Sequence, residues 1–286
     1  MSKIVIPENS LIHNNLQNLV QSCEMVMFAG LPGVGKSLLL QQAAFMAQQC
    51  KRQVHLLELD VIRPAFTTAN ILIRYPDTDG LTTHPVILKA LGLWTRSAVL
   101  RWHHNYGGTD HILIGEAPLI GNRLMELAKP YDDEAEAILR NEKTQFVIPV
   151  PTREVRQIIE RKRELTIVEP QHEKDNHDAP PIVLQVVWKK LYQIAHELGF
   201  TDTLLDNPSY IPEAYRAVYE YLLKYRNTVP LIISEIFEPA GSVHALENIE
   251  SEFVPTSAEV KQIVSQLEHD FTPEQIEAQV SQWYKV

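Results

Sequence analysis

A glycine-rich string near the start of the chain constrains the fold more than any other feature. Residues 30–37 read Gly-Leu-Pro-Gly-Val-Gly-Lys-Ser and fit the pattern Gly-x-x-x-x-Gly-Lys-Ser in full. An apolar run, Met25–Ala29, precedes the string, and a helical run, Leu38–Met46, follows it. Glycines let several backbone N–H groups point inward at phosphate oxygens, and a helix start attracts the same anion. Both flanks therefore favour a phosphate-binding loop over a chance match on a glycine turn.

Two side chains of this loop predict the ligand. Lys36 would reach the β- and γ-phosphates of a nucleoside triphosphate, and the Ser37 hydroxyl would ligate Mg²⁺. We expect ATP and Mg²⁺ as cofactors, although the preference for ATP rests only on the absence of the guanine-specific string Asn-Lys-x-Asp. The residues expected to contact the nucleotide are Gly30, Leu31, Pro32, Gly33, Val34, Gly35, Lys36, Ser37 and Leu38.

Five apolar runs predict the fold. They are Met25–Ala29, Val54–Leu59, His111–Ile114, Gln145–Val150 and Leu231–Ile236. Four of them are short and continuously apolar, as expected for parallel strands covered on both faces. Helical patterns lie between most of the runs, so the chain is expected to be a doubly wound α/β fold around a mainly five-stranded parallel sheet.

The 286 residues are long for one average domain and short for two. We expect a single domain over residues 1–286, with a candidate helical lid insertion at 151–181 and a C-terminal helical extension at 239–286. Two helix starts in the extension have the spacing of a capping box, at Thr256 and Thr272.

Composition excludes several classes of protein. The net charge of -10 argues against general nucleic-acid binding, which uses a basic surface. No apolar run approaches ~20 residues, so no membrane span is expected. The two cysteines and the lack of a signal-peptide pattern favour the cytoplasm. The oligomeric state is left open.

The second apolar run ends at a carboxylate. Asp60 follows Glu58-Leu59, and Arg63 lies three residues later. Ligands of an open α/β sheet bind beyond the carboxyl ends of its strands, where Asp60 would face the γ-phosphate. Arg63 would hold an anionic group of a second substrate. The alternative is that Asp60 caps the next helix and Arg63 is a solvated surface charge.

The third apolar run also ends in a carboxylate, Glu116. An apolar strand with a terminal carboxylate is typical of a Walker B element, which would hold Mg²⁺ or position the nucleophile. Gly115 stands where that element usually has Asp, which puts direct ligation of Mg²⁺ in doubt. Arg123, in the loop that follows, would reach a substrate phosphate. Helix capping by Glu116 is the alternative.

A third candidate element follows the fourth run. Thr152 opens a helix that carries Arg153, Arg156 and Arg163 on the side opposite its apolar residues, and a polar stretch, Glu169–Asp178, comes after it. A mobile arm of this kind would lay arginines over the phosphates and exclude water. An exposed charged helix with internal ion pairs would show the same pattern.

These three features resemble the small-molecule kinase branch of P-loop proteins, which includes thymidylate kinases, adenylate kinases and zeta-toxin-like phosphotransferases. The resemblance covers most of residues 20–237, and only the glycine loop is highly specific. The strings Asp-Gly-x-Pro-Arg and Asp-Arg-Tyr of adenylate and thymidylate kinases are absent. The resemblance implies transfer of a phosphoryl group to a small-molecule acceptor.

The roles that this resemblance implies fall into three groups. Lys36, Asp60, Glu116 and Arg156 would be catalytic; Ser37 and Glu116 would hold the metal; Arg63, Arg123, Arg153 and Arg163 would bind the acceptor and its phosphates. A kinase of this kind needs an acceptor cavity between Asp60, Arg63 and the helix predicted at Pro85–Tyr106.

Two other functions remain open on the sequence alone. An NTPase working as a switch or partner-binding regulator would expose apolar surface and hydrolyse its nucleotide slowly. A nucleotide-binding protein without turnover would keep the loop and lack a working acceptor site.

Overall fold

The structure is a computed structural model that describes residues 4–78, 83–168, 179–238, 242–243, 246, 249 and 251–286. Within those ranges, 164–168 and 251–252 are described by their backbone alone. The polar stretch that was expected to belong to a lid, residues 169–178, lies outside them, as does the start of the C-terminal extension.

A parallel sheet forms the centre of the molecule, and the predicted α/β fold is confirmed. Its strands, in the spatial order β5-β4-β1-β3-β2-β6, all run parallel. They are β1 (Met25–Ala29), β2 (Gln53–Leu57), β3 (His111–Ala117), β4 (Thr144–Pro151), β5 (Thr228–Ile233) and the short edge strand β6 (Ser251–Glu252).

Eleven α-helices accompany the sheet in the described part of the chain. They are α1 (Leu11–Ser22), α2 (Lys36–Gln49), α3 (Leu59–Phe66), α4 (Ala69–Arg74), α5 (Pro85–Tyr106), α6 (Glu134–Arg140), α7 (Arg153–Val168), α8 (Pro181–Glu197), α9 (Pro212–Leu222), α10 (Ser257–Asp270) and α11 (Pro273–Ser281). None of the helices described is both long enough and apolar enough to cross a membrane.

Helices cover both faces of the sheet because successive strand side chains point in opposite directions. In β1, Met25 and Met27 enter the core beneath α5, α8 and α9, whereas Val26 and Phe28 enter the core beneath α1 and α2. This two-sided burial explains why the strands read as continuous apolar runs.

The predicted bounds of three strands are wrong, and the first two of these differences affect the site. β2 ends at Leu57, and Asp60 lies in the first turn of α3 rather than at a strand end. β3 continues to Ala117, which places Glu116 inside the strand. β5 begins at Thr228 and ends at Ile233, three residues earlier than expected at each end. The short strand β6 was not predicted.

The C-terminal helices α10 and α11 dock onto the body of the molecule. Thr256 and Thr272 each cap their helix in a capping box, with Glu259 and Gln275 as the reciprocal partners. Both helices pack against α5, and Trp283 is buried there. The extension therefore packs against α5, the helix that lines one side of the region next to the glycine loop.

Candidate phosphate-binding site

The glycine string connects the end of β1 to the start of α2, as the sequence predicts. Gly33 (φ +75°) and Gly35 (φ +91°) both adopt left-handed backbone conformations, which other residues rarely take. Gly35 caps α2, so the N-terminus of this helix faces the loop. Ser37 is the second residue of α2 and is half-buried. Loop and helix therefore have the backbone conformation that the motif predicts for an anion site.

Lys36 is the first residue of α2, and its side chain folds back along the loop. Its Nζ donates a 3.0 Å hydrogen bond to the Leu31 carbonyl, and the residue is 8% exposed. Burial lowers the pKa of Lys36, and the Glu116 carboxylate is the strongest influence in the opposite direction. A buried ammonium group thus lies at the centre of the loop, beside a carboxylate.

Glu116 approaches this ammonium group from β3, the strand that pairs directly with β1. Its Oε1 accepts a 3.3 Å hydrogen bond from the Leu59 amide at the start of α3. Burial raises the pKa of Glu116, whereas Lys36 lowers it and Asp60 raises it further. Glu116 therefore caps a helix, as the alternative has it, but the helix is α3 rather than one in the segment that follows β3.

Close packing requires a glycine at position 115, where a Walker B element usually has Asp. A Cβ at this position would lie 2.6 Å from the Leu57 carbonyl oxygen and 3.0 Å from the Met27 side chain. The strand therefore has no room for the usual Asp at 115, and the carboxylate it presents beside the loop is that of Glu116.

Asp60 and Arg63 are exposed on α3 and lie near the same centre. The Asp60 carboxylate raises the pKa of both Lys36 and Glu116. Arg63 lies close enough to Arg123 to lower its pKa, after the larger effect of burial. The two carboxylates and two of the predicted substrate arginines are therefore brought together on the β2–β3 side of the loop.

The arginines of α7 differ in their partners, since Arg156 and Arg163 act on the glycine loop and Arg153 contacts Tyr210. Arg156 is 1% exposed and donates from Nη1 to the Pro32 carbonyl at 2.6 Å. Arg163 also acts on Lys36 electrostatically. Arg153 is exposed and donates from Nε to the Tyr210 carbonyl at 3.2 Å. The expectation that all three share a side opposite the apolar residues is wrong, because Arg156 turns inward next to the buried Val155.

Two loop glycines also make room for side chains from other elements. A Cβ at Gly33 would lie 2.9 Å from Arg156 Nη1, and one at Gly30 would lie 2.5 Å from the Tyr215 hydroxyl. The loop is therefore packed closely against α7 and α9, and its glycines are needed for contact as well as for backbone angles.

A cluster of three tyrosines with mutually tilted rings lies behind the loop, and sequence reasoning did not assign it to the site. The ring centroids of Tyr210 and Tyr215 are 5.7 Å apart, and those of Tyr215 and Tyr219 are 4.9 Å apart. Tyr219 donates a 2.6 Å hydrogen bond to the Pro118 carbonyl. The spacing of four residues between Tyr215 and Tyr219 put them on one helix face, but nothing in the sequence placed that face behind the loop.

The segment after β3 is unusually strained. Leu119, Gly121, Asn122 and Leu124 all have φ between 60° and 67°. Such conformations are costly for residues other than glycine and collect at functional sites. Arg123 lies within this segment, and its Nη1 donates a 3.3 Å hydrogen bond to the Ile120 carbonyl.

A small cavity of about 10 Å³, with room for about one water molecule, lies beside this segment, on the side of the loop where an acceptor cavity was expected. Its lining comes from α3, from α5 and from the strained segment, and includes both Arg63 and Arg123. Asp60 does not line it, although the neighbouring Leu59 does.

No protein-family model, curated protein or solved structure matches this chain. A function can therefore be proposed only from the geometry of the residues around the glycine loop. That geometry consists of a buried lysine in a glycine loop, two carboxylates on one side of it, and arginines on both sides.

Proposed function

We propose that the protein is a Mg-ATP-dependent phosphotransferase acting on a small acceptor. The observation that carries this proposal is the placement of Glu116 and Asp60 beside Lys36, at the carboxyl edge of the sheet. Carboxylates next to the lysine would weaken a site that only binds an anion, because they repel the anion. A phosphoryl-transfer site needs them, because the metal ion and the attacking hydroxyl both require an oxygen partner.

The donor would lie along the loop. Backbone N–H groups of residues 30–37 and the Lys36 ammonium would hold the β- and γ-phosphates, and the Ser37 hydroxyl would hold Mg²⁺ with help from Glu116. Arg156 already hydrogen-bonds the Pro32 carbonyl and has a second amino group, Nη2, that is buried without a hydrogen-bond partner among the described residues. That group would stabilise charge on the transferring phosphoryl group.

The acceptor would approach from the β2–β3 side. Its hydroxyl oxygen attacks the γ-phosphorus, the bond from that phosphorus to the bridging oxygen of ADP breaks, and the hydroxyl proton passes to Asp60. Asp60 is exposed in the structure, so an acceptor can reach it directly. The products are ADP and the phosphorylated acceptor. Positioning and electrostatic stabilisation supply the rate enhancement.

A second candidate function is a partner-binding NTPase without a small acceptor. It is favoured by the apolar side chains that α8 leaves in solvent, since Ile182 is 64% exposed and Val186 is 59% exposed. Single exposed apolar residues are ordinary, but several on one helix are typical of a contact surface. Such a protein would hydrolyse ATP slowly and release inorganic phosphate.

A transfer screen with γ-labelled ATP tests the proposal. Sugars, amino sugars, nucleosides, nucleotides and small phosphorylated or carboxylated alcohols are offered as acceptors, and labelled products are separated from inorganic phosphate. We expect label on one acceptor class, loss of turnover in Lys36→Ala, and strong loss in Asp60→Asn. The matched control is Asp110→Asn, an exposed carboxylate just before β3 at the opposite edge of the sheet.

The outcomes separate the candidates. Label only in inorganic phosphate, at a rate that no acceptor changes, overturns transfer in favour of the partner-binding NTPase. ATP binding without any turnover favours a nucleotide-binding protein. Unchanged ATP affinity and turnover in Lys36→Ala would show that the loop is not the site.

A further inference from the structure

A second cavity lies at the amino end of the sheet, at the opposite end of β1 from the glycine loop. It is enclosed by the starts of β1 and β4, the C-terminal part of α5 and the C-terminal half of α6. The first residues of the two strands, Met25 and Thr144, belong to its lining. Because the glycine loop follows Ala29 at the other end of β1, this cavity is separate from the proposed phosphotransfer site.

The size of the cavity suits a single ring. Its volume is about 130 Å³. An apolar cavity of roughly 150 Å³ engineered in another protein binds benzene. A planar molecule of about six or seven non-hydrogen atoms therefore fits in this space, whereas a nucleoside does not.

The walls of the cavity are apolar and aromatic. Met25, Trp102 and Ile138 line it, and all three are buried in the core. The indole ring of Trp102 offers a surface that an aromatic ligand can contact in an offset or edge-to-face arrangement. Such walls favour a planar ring over a polar molecule, which would lose its hydration without gaining hydrogen bonds in return.

One polar atom at the mouth of the cavity is free to accept a hydrogen bond. The Glu24 side chain is 16% exposed, and its Oε1 accepts a hydrogen bond from Lys143 Nζ at 2.8 Å. Its second oxygen, Oε2, lies 3.7 Å from His103 Nδ1, which is too far for a hydrogen bond. Among the described residues no group donates to Oε2, so an O–H or N–H group of a ligand can bind there.

The charges around the mouth are balanced. The hydrogen bond and the charge of Glu24 raise the pKa of Lys143. Glu142 acts in the same direction, and Arg52 acts in the opposite one. Two carboxylates and two cations thus act on one another at this place. A ligand with a net charge would be repelled by one pair or the other, whereas a neutral hydrogen-bond donor is not.

We propose that this cavity binds a neutral monocyclic aromatic molecule with a hydroxyl or N–H group, a ligand of the phenol class. The ring packs against Trp102, and the hydroxyl donates to Glu24 Oε2. This binding goes beyond the phosphotransferase function and does not rest on it, because neither the glycine loop nor its nucleotide takes part.

Binding of phenol to the full chain without nucleotide, followed by NMR, tests this proposal. Fluorobenzene is the comparison ligand because it has nearly the shape of phenol but no donor, and benzylamine and benzoate test the effect of charge. Each of the four tryptophans gives one indole N–H signal, and that of Trp102 is assigned through the backbone resonances. The variants are Glu24→Gln and Ala137→Leu, which fills the cavity from an exposed position on α6. Ala258→Leu, at an exposed position on α10, is the matched control.

We expect phenol to bind with a Kd on the order of 1 mM or below, and to shift the Trp102 signal more than those of the other three tryptophans. Fluorobenzene should bind about tenfold more weakly, because it cannot donate to the charged Glu24 oxygen, and both charged ligands should bind more weakly than phenol. Ala137→Leu should weaken phenol binding about tenfold or more, since it removes most of the space. Glu24→Gln should reduce the preference for phenol over fluorobenzene to about threefold or less. Ala258→Leu should bind phenol as the parent does.

Four results would overturn the proposal. Equal binding of phenol and fluorobenzene by the parent would contradict the hydrogen bond to Glu24, and tighter binding of benzylamine or benzoate would show that the ligand is charged. Full affinity in Ala137→Leu would place the ligand outside the cavity. Absence of a saturable shift of the Trp102 signal would show that the cavity admits no ring. None of these measurements involves ATP, so failure here is distinct from failure of the phosphotransferase assignment, which the transfer screen measures.

Discussion

Arg156 on α7 and Pro32 in the glycine loop are joined by a 2.6 Å hydrogen bond from Nη1 to the carbonyl oxygen. The same guanidinium donates from Nε to Glu160 at 2.8 Å and is almost completely buried. Because a guanidinium is planar and has five donors, it can hold both of these partners and still offer Nη2 to a phosphate. The helix after β4 is therefore tied to the loop by a contact that leaves one donor available.

The first prediction concerns the guanidinium group of Arg156. Arg156→Lys keeps the positive charge but replaces five fixed donors by one ammonium group. We expect the turnover of Mg-ATP to fall by about 10²-fold, as when one donor to a developing charge is removed, with a smaller change in ATP affinity. Arg153→Lys on the same helix is the control, because Arg153 is exposed and bonds Tyr210 instead. Equal kcat and KM values in the two variants would contradict a role of Arg156 at the phosphates.

The second prediction separates backbone strain from crowding in the loop. Gly33 and Gly199 have nearly the same φ, +75° and +77°, but a Cβ has open space at Gly199 and meets Arg156 Nη1 at 2.9 Å at Gly33. Both Ala variants should lose about 1–2 kcal/mol in the free energy of unfolding through strain. Gly33→Ala should lose a further ~1–3 kcal/mol, because Arg156 must leave the Pro32 carbonyl.

Urea unfolding and nucleotide titration of both variants check this prediction. Gly33→Ala should bind ATP much more weakly than the parent, and Gly199→Ala should bind it equally well. If the two variants were equally stable and bound ATP alike, the contact between Arg156 and the loop would not exist in solution.

The sequence predicts the sheet well because the patterns that indicate its strands are local. Continuous apolar runs indicate buried parallel strands, and the glycine string fixes where the first of them ends. The end of β2 was missed because Leu59, which is buried in the first turn of α3, reads as a continuation of the apolar run. The edge strand β6 was missed because two residues, Ser251 and Glu252, carry no pattern.

The candidate site is predictable only for residues whose place follows from a local sequence pattern. Lys36 and Ser37 follow from the loop, and Glu116 follows from the end of an apolar run. The inward turn of Arg156 depends on the absence of a side chain at Gly33, which is 123 positions away in the chain. The tyrosines behind the loop depend on how α9 packs, which no local pattern specifies.

The third prediction uses two of these tyrosines. Tyr219 donates to the Pro118 carbonyl at the start of the strained segment, whereas the buried Tyr210 hydroxyl has no hydrogen-bond partner in the described ranges. Tyr219→Phe removes this hydrogen bond, although the Pro118 carbonyl keeps the Ile120 amide as a donor, and should lower the free energy of unfolding by about 0.5–1.5 kcal/mol. Tyr210→Phe should change it by less than about 0.5 kcal/mol or raise it, since a buried hydroxyl without a partner is itself unfavourable. Equilibrium unfolding in urea measures both, and a larger loss in Tyr210→Phe would contradict the assigned contacts.

The fourth prediction concerns a buried imidazole in the middle of β2, that of His55. His55 Nε2 lies 2.9 Å from His111 Nδ1, and the rings of Trp102, Tyr106 and Phe253 surround it. Burial, and to a smaller extent His111, lower the pKa of His55 from 6.5 to about 4. The folded protein therefore keeps this imidazole neutral at a pH where the unfolded chain takes up a proton.

The sign of the effect on stability follows from that difference. Between pH 6.5 and about pH 4 the unfolded state binds the additional proton, so stability falls as the pH is lowered. The full loss by pH 4 is about 3 kcal/mol. His55→Gln removes this titration, and its free energy of unfolding should decline less steeply than that of the parent over the same interval. His104→Gln, on the exposed end of α5, should follow the parent. Parallel pH profiles for the parent and His55→Gln would show that His55 titrates normally in the folded protein.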